Sequence, residues 1–460
     1  MRAPWSPAPL ASTPVGDVEA AAPARASRMP SLHTFEALNS RSFRWFFVAM
    51  LAQFSSMHMQ MLVNPWLVFD LTGSYARVGA IALASAIPGL ILGFPGGVVA
   101  DRAPKKIVVQ IGQTVNALGT LAIAVLLTLD MLTFNHLMLV SALQGGVFAI
   151  MGPARQSMIP EIVGPRRLSN AVGLNMAGMN VTRMGVPALG GFILAFAGPA
   201  VVYYLMAALI FVAVVGLIPV TKHVPTAEDI EEERVLAVAA GTDQPAPRSR
   251  PAGGHGGGGG GARGLSDIRD GIRYMRGDRV VLALLWINFF IVLMSMPYMQ
   301  MLAGFVKEVL HGGPEQIGLL ISATGIGALA GSLMVASMPN RGRGKVFLVS
   351  ALILGVALVG FVTSTSLWLT AFIMLAVGFG QAGRMSLGSI LIMSYTKPEF
   401  QGRVMSVYMM EFSLVSFGTF AVGILAEMVG IQWAIGSTAA ALVIVAGFGL
   451  LFMPRVRDLP

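Results

Sequence analysis

The sequence predicts an all-α integral membrane protein, with twelve transmembrane helices arranged as two pseudo-symmetric six-helix bundles. Three observations carry that expectation. Hydrophobic residues make up 55% of the chain and charged residues only 12%, at a mean hydropathy of +0.73. Soluble chains carry roughly a quarter charged residues, so this one cannot cover a water-facing globule and must present much of its surface to lipid. Second, the apolar residues gather into twelve runs of about the 20 residues that a helix needs to cross a bilayer core. Third, the two halves repeat each other in a constant register.

Residues 1–40 read as a disordered cytoplasmic tail. They contain no compact apolar core ahead of a small-residue cleavage site, so the first hydrophobic segment is expected to stay in the mature protein. Residues 41–221 then hold six runs, near 45–69, 78–100, 107–129, 136–158, 169–197 and 199–221. None alternates apolar and polar residues as a barrel strand would. Residues 222–265 begin acidic ("EDIEEER") and end as "RPAGGHGGGGGGARG", a composition with nothing to bury and the reading of a flexible cytoplasmic linker. The stretch "LSDIRDGIRYMRGDRV" can form an amphipathic helix on the inner surface. It opens the C-terminal unit, 266–460, whose runs fall near 280–306, 315–338, 346–364, 366–395, 405–429 and 431–453.

The charges orient these spans. Arg41, Arg44, Arg102, Lys105, Lys106, Arg155, Arg166 and Arg167 share one side with Arg341, Arg343, Lys345, Lys397, Arg403, Arg455 and Arg457. The opposite loops carry only Arg77 and Lys307. Cytoplasmic loops are rich in Lys and Arg, which puts both termini inside. The net charge of +9 is therefore a signature of topology, and nucleic acid is not an expected partner. With no cysteine in the chain, disulfides, thiol chemistry and cysteine-ligated metals are excluded.

The duplication is legible at three junctions. Gly73 and Gly79 of "LTGSYARVG" recur as Gly312 and Gly318 of "LHGGPEQIG", Arg102 and Lys106 recur as Arg341 and Lys345, and "PEIVGPRR" from Pro160 recurs as "PEFQGR" from Pro398. Six spans plus six joined by a linker suit two bundles that rock about a central site.

These residues resemble the major facilitator superfamily, and within it the branch of macrolide-efflux proteins and enterobactin exporters. The likeness covers about Phe35 to Pro454 and rests on "PWLVFDLTGS", "GGVVADRAPKK", "GPARQSMIPEIV", "NVTRMGVPALGG" and "KPEFQGRVMS". It implies a monomeric transporter in a bacterial cytoplasmic membrane that exports small amphipathic molecules (drug-, macrolide- or siderophore-like) by alternating access. It implies no bound cofactor, the proton gradient being the energy source. An uptake carrier, a lysolipid flippase and a non-transporting sensor or scaffold remain as alternatives. No metal-ligating cluster or nucleophile–base spacing argues for an enzyme, and the glycine tract after His255 lacks the Gly-Lys-Ser/Thr of a phosphate-cradling loop.

Several residues are candidates for the working parts. Gly97, four residues before Asp101 on one helical face, permits the close approach of a neighbouring helix. An acid just beyond it can meet that helix's positive N-terminal end. By the resemblance the neighbour is the eleventh helix, starting near Gly402 and Arg403, so Gly97, Asp101, Arg102 and Arg403 are expected to form a conformational latch. Lys105 and Lys106 read as plain anchors. Glu161 with Arg166 or Arg167, and Glu399 with Arg403, either cross-link helix ends at an inner gate or are simply solvated. Gln53, Ser56, Gln60 and Asn64 form a polar stripe on span one, which lines a cavity or bonds to neighbouring helices; His58 lies off it and reads as structural. Methionines 50, 57, 59 and 61 in span one and 294, 296, 299 and 301 in span seven either fill gaps or adapt to apolar ligands. Ionisable residues inside spans are expensive and mark function. Glu411 is the candidate proton carrier, with Arg384 as a coupling or substrate residue. Arg183 either binds an anionic substrate group or holds the bundle. Asp70 reads as the residue that ends helix one.

Overall fold

The computed structural model describes residues 36–221, 273–339 and 341–459, with the side chains at 94–102, 165, 166, 398, 406, 409 and 412 excepted. The linker at 222–265, most of the tail and the side chains of Gly97, Asp101, Arg102 and Arg166 lie outside the described residues. Among those described there is no strand.

The N-terminal unit begins with α1 (Arg41–Thr72), α2 (Tyr75–Arg102) and α3 (Lys105–Thr128). A continuous helical run, Phe134–Gly216, follows. It is broken where Gly164 (φ 73°) and Gly198 (φ 78°) take a left-handed conformation open to glycine. These breaks divide it into α4 (134–164), α5 (165–197) and α6 (199–216). The C-terminal unit comprises α7 (Arg279–Glu308), α8 (Pro314–Ser337), α9 (Arg343–Thr363), α10 (Leu367–Tyr395), α11 (Gln401–Val429) and α12 (Ile431–Phe452). Helix α7 is interrupted at Met296, where Pro297 starts a fresh helical segment. These twelve helices match the twelve apolar runs in order, because each run sustains the helix that a bilayer demands.

Large side chains such as Trp368, Phe372, Trp433 and Phe196 stand exposed on the outside, the surface expected to face lipid. The end of the molecule carrying the termini and the basic loops is called here the terminal end, and the opposite one the distal end. Glu36–Asn39 forms a short 3₁₀ turn with the Ala37 N–H donating to Asn170 Oδ1 at 2.9 Å. The expected disorder of the tail up to residue 40 therefore fails at its last few residues, which are pinned onto α5.

The bundles meet along two crossings. On one, α2 packs on α11: a Cβ added at Gly79 would sit 2.7 Å from Phe420 Cα, and one at Gly423 would sit 2.5 Å from the Tyr75 carbonyl. On the other, α8 packs on α5: an added Cβ would sit 2.5 Å from the Pro187 carbonyl oxygen at Gly318 and 2.5 Å from the Pro314 carbonyl oxygen at Gly191. Gly79 and Gly318 are the pair related by the sequence repeat, so the duplication reappears as two equivalent contacts of backbone on backbone. The "MGVPALGG" segment supplies Pro187 and Gly191 to this seam, while Gly190 accommodates Met59.

Candidate functional site

In the C-terminal bundle, three helices bring polar groups together inside an apolar surround. Glu411 of α11 accepts a hydrogen bond from Asn288 Nδ2 of α7 at 2.5 Å. Asn288 Oδ1 in turn accepts from Arg384 Nη1 of α10 at 3.3 Å. The amide thus stands between acid and base, using its oxygen toward one and its nitrogen toward the other. All three are buried: Arg384 is 0% exposed, Asn288 1% and Glu411 4%. Tyr408, one turn before Glu411, lies within electrostatic reach of Arg384. Arg384 Nε and Nη2 have no hydrogen-bond partner among the described residues. One turn away on α10, Gln381 receives the Tyr298 hydroxyl at 3.5 Å and contacts Met296 at the break in α7. Sequence reasoning singled out Arg384 and Glu411 and missed Asn288; a lone asparagine inside "LLWINFFIVL" was the available signal.

In the N-terminal bundle two of the four α1 stripe residues are used for interhelical bonding. Gln60 Nε2 donates to Gln144 Oε1 of α4 at 2.6 Å, and Gln144 Nε2 to Thr120 Oγ1 of α3 at 3.2 Å. Asn64 Oδ1 accepts from the Tyr203 hydroxyl of α6 at 3.0 Å. Gln53 and Ser56 are buried, with Gln53 Oε1 unpartnered among the described residues. The methionines divide in a similar way: Met50, Met59 and Met301 are core, whereas Met61 is exposed. Arg183 lies at the seam, where its carbonyl and the Met184 Cα pack against Gly325 of α8.

At the distal end the two halves are joined by polar contacts. Lys307 of α7 pairs with Asp70 of α1 at 2.7 Å and lies 6.0 Å from the Phe69 ring. The Tyr75 hydroxyl donates to Glu308 Oε2 at 2.7 Å. Glu427 of α11 accepts from the Ser74 hydroxyl and from the Ala76 N–H. Asp70 is thus a cross-bundle partner, and the expectation that it merely ends its helix is corrected.

The terminal-end charges are described in part, the expected pairings of Glu161 with Arg166 and of Asp101 with Arg403 lying outside the described residues. Glu161 takes Lys105 at 2.6 Å, while Arg167 takes Glu36 of the tail at 3.5 Å. Lys106 Nζ donates to the carbonyls of Ile218 and Val220, in the turn that follows α6. Neither lysine is a plain anchor. Arg403 lies 5.3 Å over the Phe400 ring, and Glu399 is exposed. Arg155 is placed inside α4, about 13 Å along the helix from its end at Gly164 at 1.5 Å per residue. It therefore does not belong to the basic loop.

Residues 32–244 match the family model described as "Transmembrane secretion effector", and residues 285–460 match that of the "Major Facilitator Superfamily". The chain belongs to the major facilitator superfamily. It is similar to the staphyloferrin A transporter of Staphylococcus aureus, at 22% identity over 80% of this chain and 85% of that one. It is also similar to the multidrug efflux pump Tap of Mycolicibacterium fortuitum, at 23% identity over 86% and 91%. Among solved structures, the nucleoside transporter NupG (D323A mutant) superposes with a TM-score of 0.69 at 14% identity, over 90% of this chain and all of that one. A bacterial homologue of the lysosomal transporter Spinster gives 0.67 at 13%, over 93% and 99%; such low identities speak for the fold alone. This superfamily member is a multi-pass membrane transporter of small molecules.

Proposed function

We propose that this transporter is a proton-driven exporter of small amphipathic molecules, working as a monomer in a bacterial cytoplasmic membrane with both termini inside. The observation that carries the reading is Glu411, a carboxyl buried within α11 and hydrogen-bonded through Asn288 toward Arg384. A carboxyl in that position exchanges a proton most readily when the helices around it move and its partners change. Coupling needs such a group, and no cofactor is required for it. The direction and cargo class rest on relatives named for multidrug efflux and for a siderophore. Given the positive-inside orientation, the distal contacts of Asp70, Tyr75 and Ser74 form the outer gate, closed here.

The test is accumulation of a panel of fluorescent amphiphiles in cells with and without the protein. Expression is expected to lower accumulation, a protonophore to restore it, and Glu411→Gln at equal membrane abundance to export at least tenfold more slowly. Unchanged accumulation across the panel would sink the exporter reading.

A further inference from the structure

At the terminal end, α1 turns one charged face outward. Arg41, Arg44, Trp45 and Val48 fall at positions i, i+3, i+4 and i+7 of a single helical stripe, and together they line a groove of about 330 Å³. All four are exposed. The stripe is ordered by depth. Both guanidiniums belong to the first turn of the helix, whereas Val48 lies about 10 Å further along it at 1.5 Å per residue.

The residues in between hold this face in place. Phe43 and Phe46 point the other way and are buried in the bundle. Ser40 caps the helix by accepting from the Phe43 N–H at 3.4 Å, and the Ser42 hydroxyl is 2.8 Å from that of Thr221 in the turn after α6. Helix α6 backs α1 closely: a Cβ added at Gly216 would lie 3.2 Å from Ala49 Cβ and 3.5 Å from the Trp45 carbonyl oxygen. An occupant of the groove must therefore suit a fixed surface, cationic at its rim and apolar below, with no acid among its lining residues. A phospholipid has that order of parts. Arginine pairs with phosphate oxygens through parallel N–H donors, tryptophan sits at headgroup level in membranes, and Val48 lies at the depth where the chains begin. A basic pocket at the membrane surface favours a headgroup with net negative charge.

We propose that this groove is a binding site for one anionic phospholipid of the leaflet at the terminal end. Its phosphate lies between Arg41 and Arg44, and its glycerol and upper acyl chains lie on Trp45 and Val48. The site stands apart from the exporter reading, which neither supports nor requires it.

Quenching of tryptophan fluorescence by brominated lipid reads the occupant directly. The purified full chain is placed in phosphatidylcholine nanodiscs in which one lipid in ten carries brominated chains, as either phosphatidylglycerol or phosphatidylcholine. The difference between wild type and Trp45→Phe isolates the Trp45 share of the quenching. Trp368→Phe gives the matching control, an exposed tryptophan within the uncharged distal stretch "STSLWLTAF". The Trp45 share should be at least threefold larger with brominated phosphatidylglycerol than with brominated phosphatidylcholine, and the Trp368 share the same with both. Arg41→Gln combined with Arg44→Gln should bring the Trp45 share to parity. Arg341→Gln combined with Arg455→Gln, which removes two exposed cations from the same end, should leave the preference intact, and so should millimolar inorganic phosphate. Every substituted side chain is exposed, so the fold should survive each change. Equal quenching by the two lipids, or a preference that survives the Arg41 and Arg44 substitutions, overturns the site. Two further results would overturn it as well. Equal loss on substituting Arg341 and Arg455 would reduce the preference to the diffuse charge of this end, and displacement by inorganic phosphate would make the occupant a soluble anion.

Discussion

At the scale of single residues, the Asn288–Glu411–Arg384 chain makes a prediction separable from transport. Removing one member of a buried charged cluster strands the other, at a cost of about 3–5 kcal/mol. Arg384→Leu should therefore lower the thermal midpoint of the purified protein clearly, and adding Glu411→Leu should recover part of the loss. A double variant that melts as low as the sum of the two single ones would show that acid and base are not coupled through Asn288. Sequence could identify the two charged members, because an ionisable residue within an apolar run is conspicuous by itself. It could not identify their connection, since Asn288 and Glu411 are 123 positions apart and an asparagine in a span announces no partner. The reverse held for Lys105 and Lys106. Their position at a loop implied anchoring, whereas the carbonyls in the turn after α6 and the Glu161 carboxylate that they bind come from distant segments.

At the scale of helices, the seams are set by glycine. Spans were legible because lipid forces each apolar run to be one helix, and the repeat told which glycines correspond. What those glycines touch was not legible, because contact between α2 and α11 depends on how the two bundles are docked. With the docking known, Gly79 and Gly318 each lie where a Cβ would strike backbone, which cannot swing aside as a flexible side chain does. Gly318→Val should hold α8 away from α5 and separate the distal ends. Because the chain has no cysteine, a nitroxide pair can be introduced alone at the exposed Leu71 and Met428. Electron–electron distance measurements should show a population at longer separation in Gly318→Val, and an unchanged distribution would mean that the crossing yields without opening. Gly79→Val at the repeat-related crossing should act in the same direction.

At the scale of the whole molecule, the distal polar contacts and the glycine seams close the same end, and they differ in kind. The seams are apolar surfaces that fit or fail to fit; the Asp70–Lys307 pair is half exposed on both sides and contributes only ~0–1 kcal/mol, as exposed pairs do. That small value is suited to a gate, because a two-state equilibrium that must run both ways cannot have one state held by a deep well. A change of about 1 kcal/mol alters the ratio of closed to open roughly fivefold. Lys307→Gln should thus raise the open population seen with the Leu71–Met428 labels by up to about fivefold, without changing the distance of either state. Exchanging the charges, with Asp70→Lys and Lys307→Asp together, should restore much of the closed population, whereas Asp70→Lys alone should open the gate further than Lys307→Gln by setting two cations side by side. High salt should shrink all three effects, since screening acts on exposed charges, and should leave the Gly318→Val opening intact because that opening is steric. If the charge exchange leaves the gate as open as Asp70→Lys does, the pair follows closure without contributing to it, and the seams alone hold the distal end.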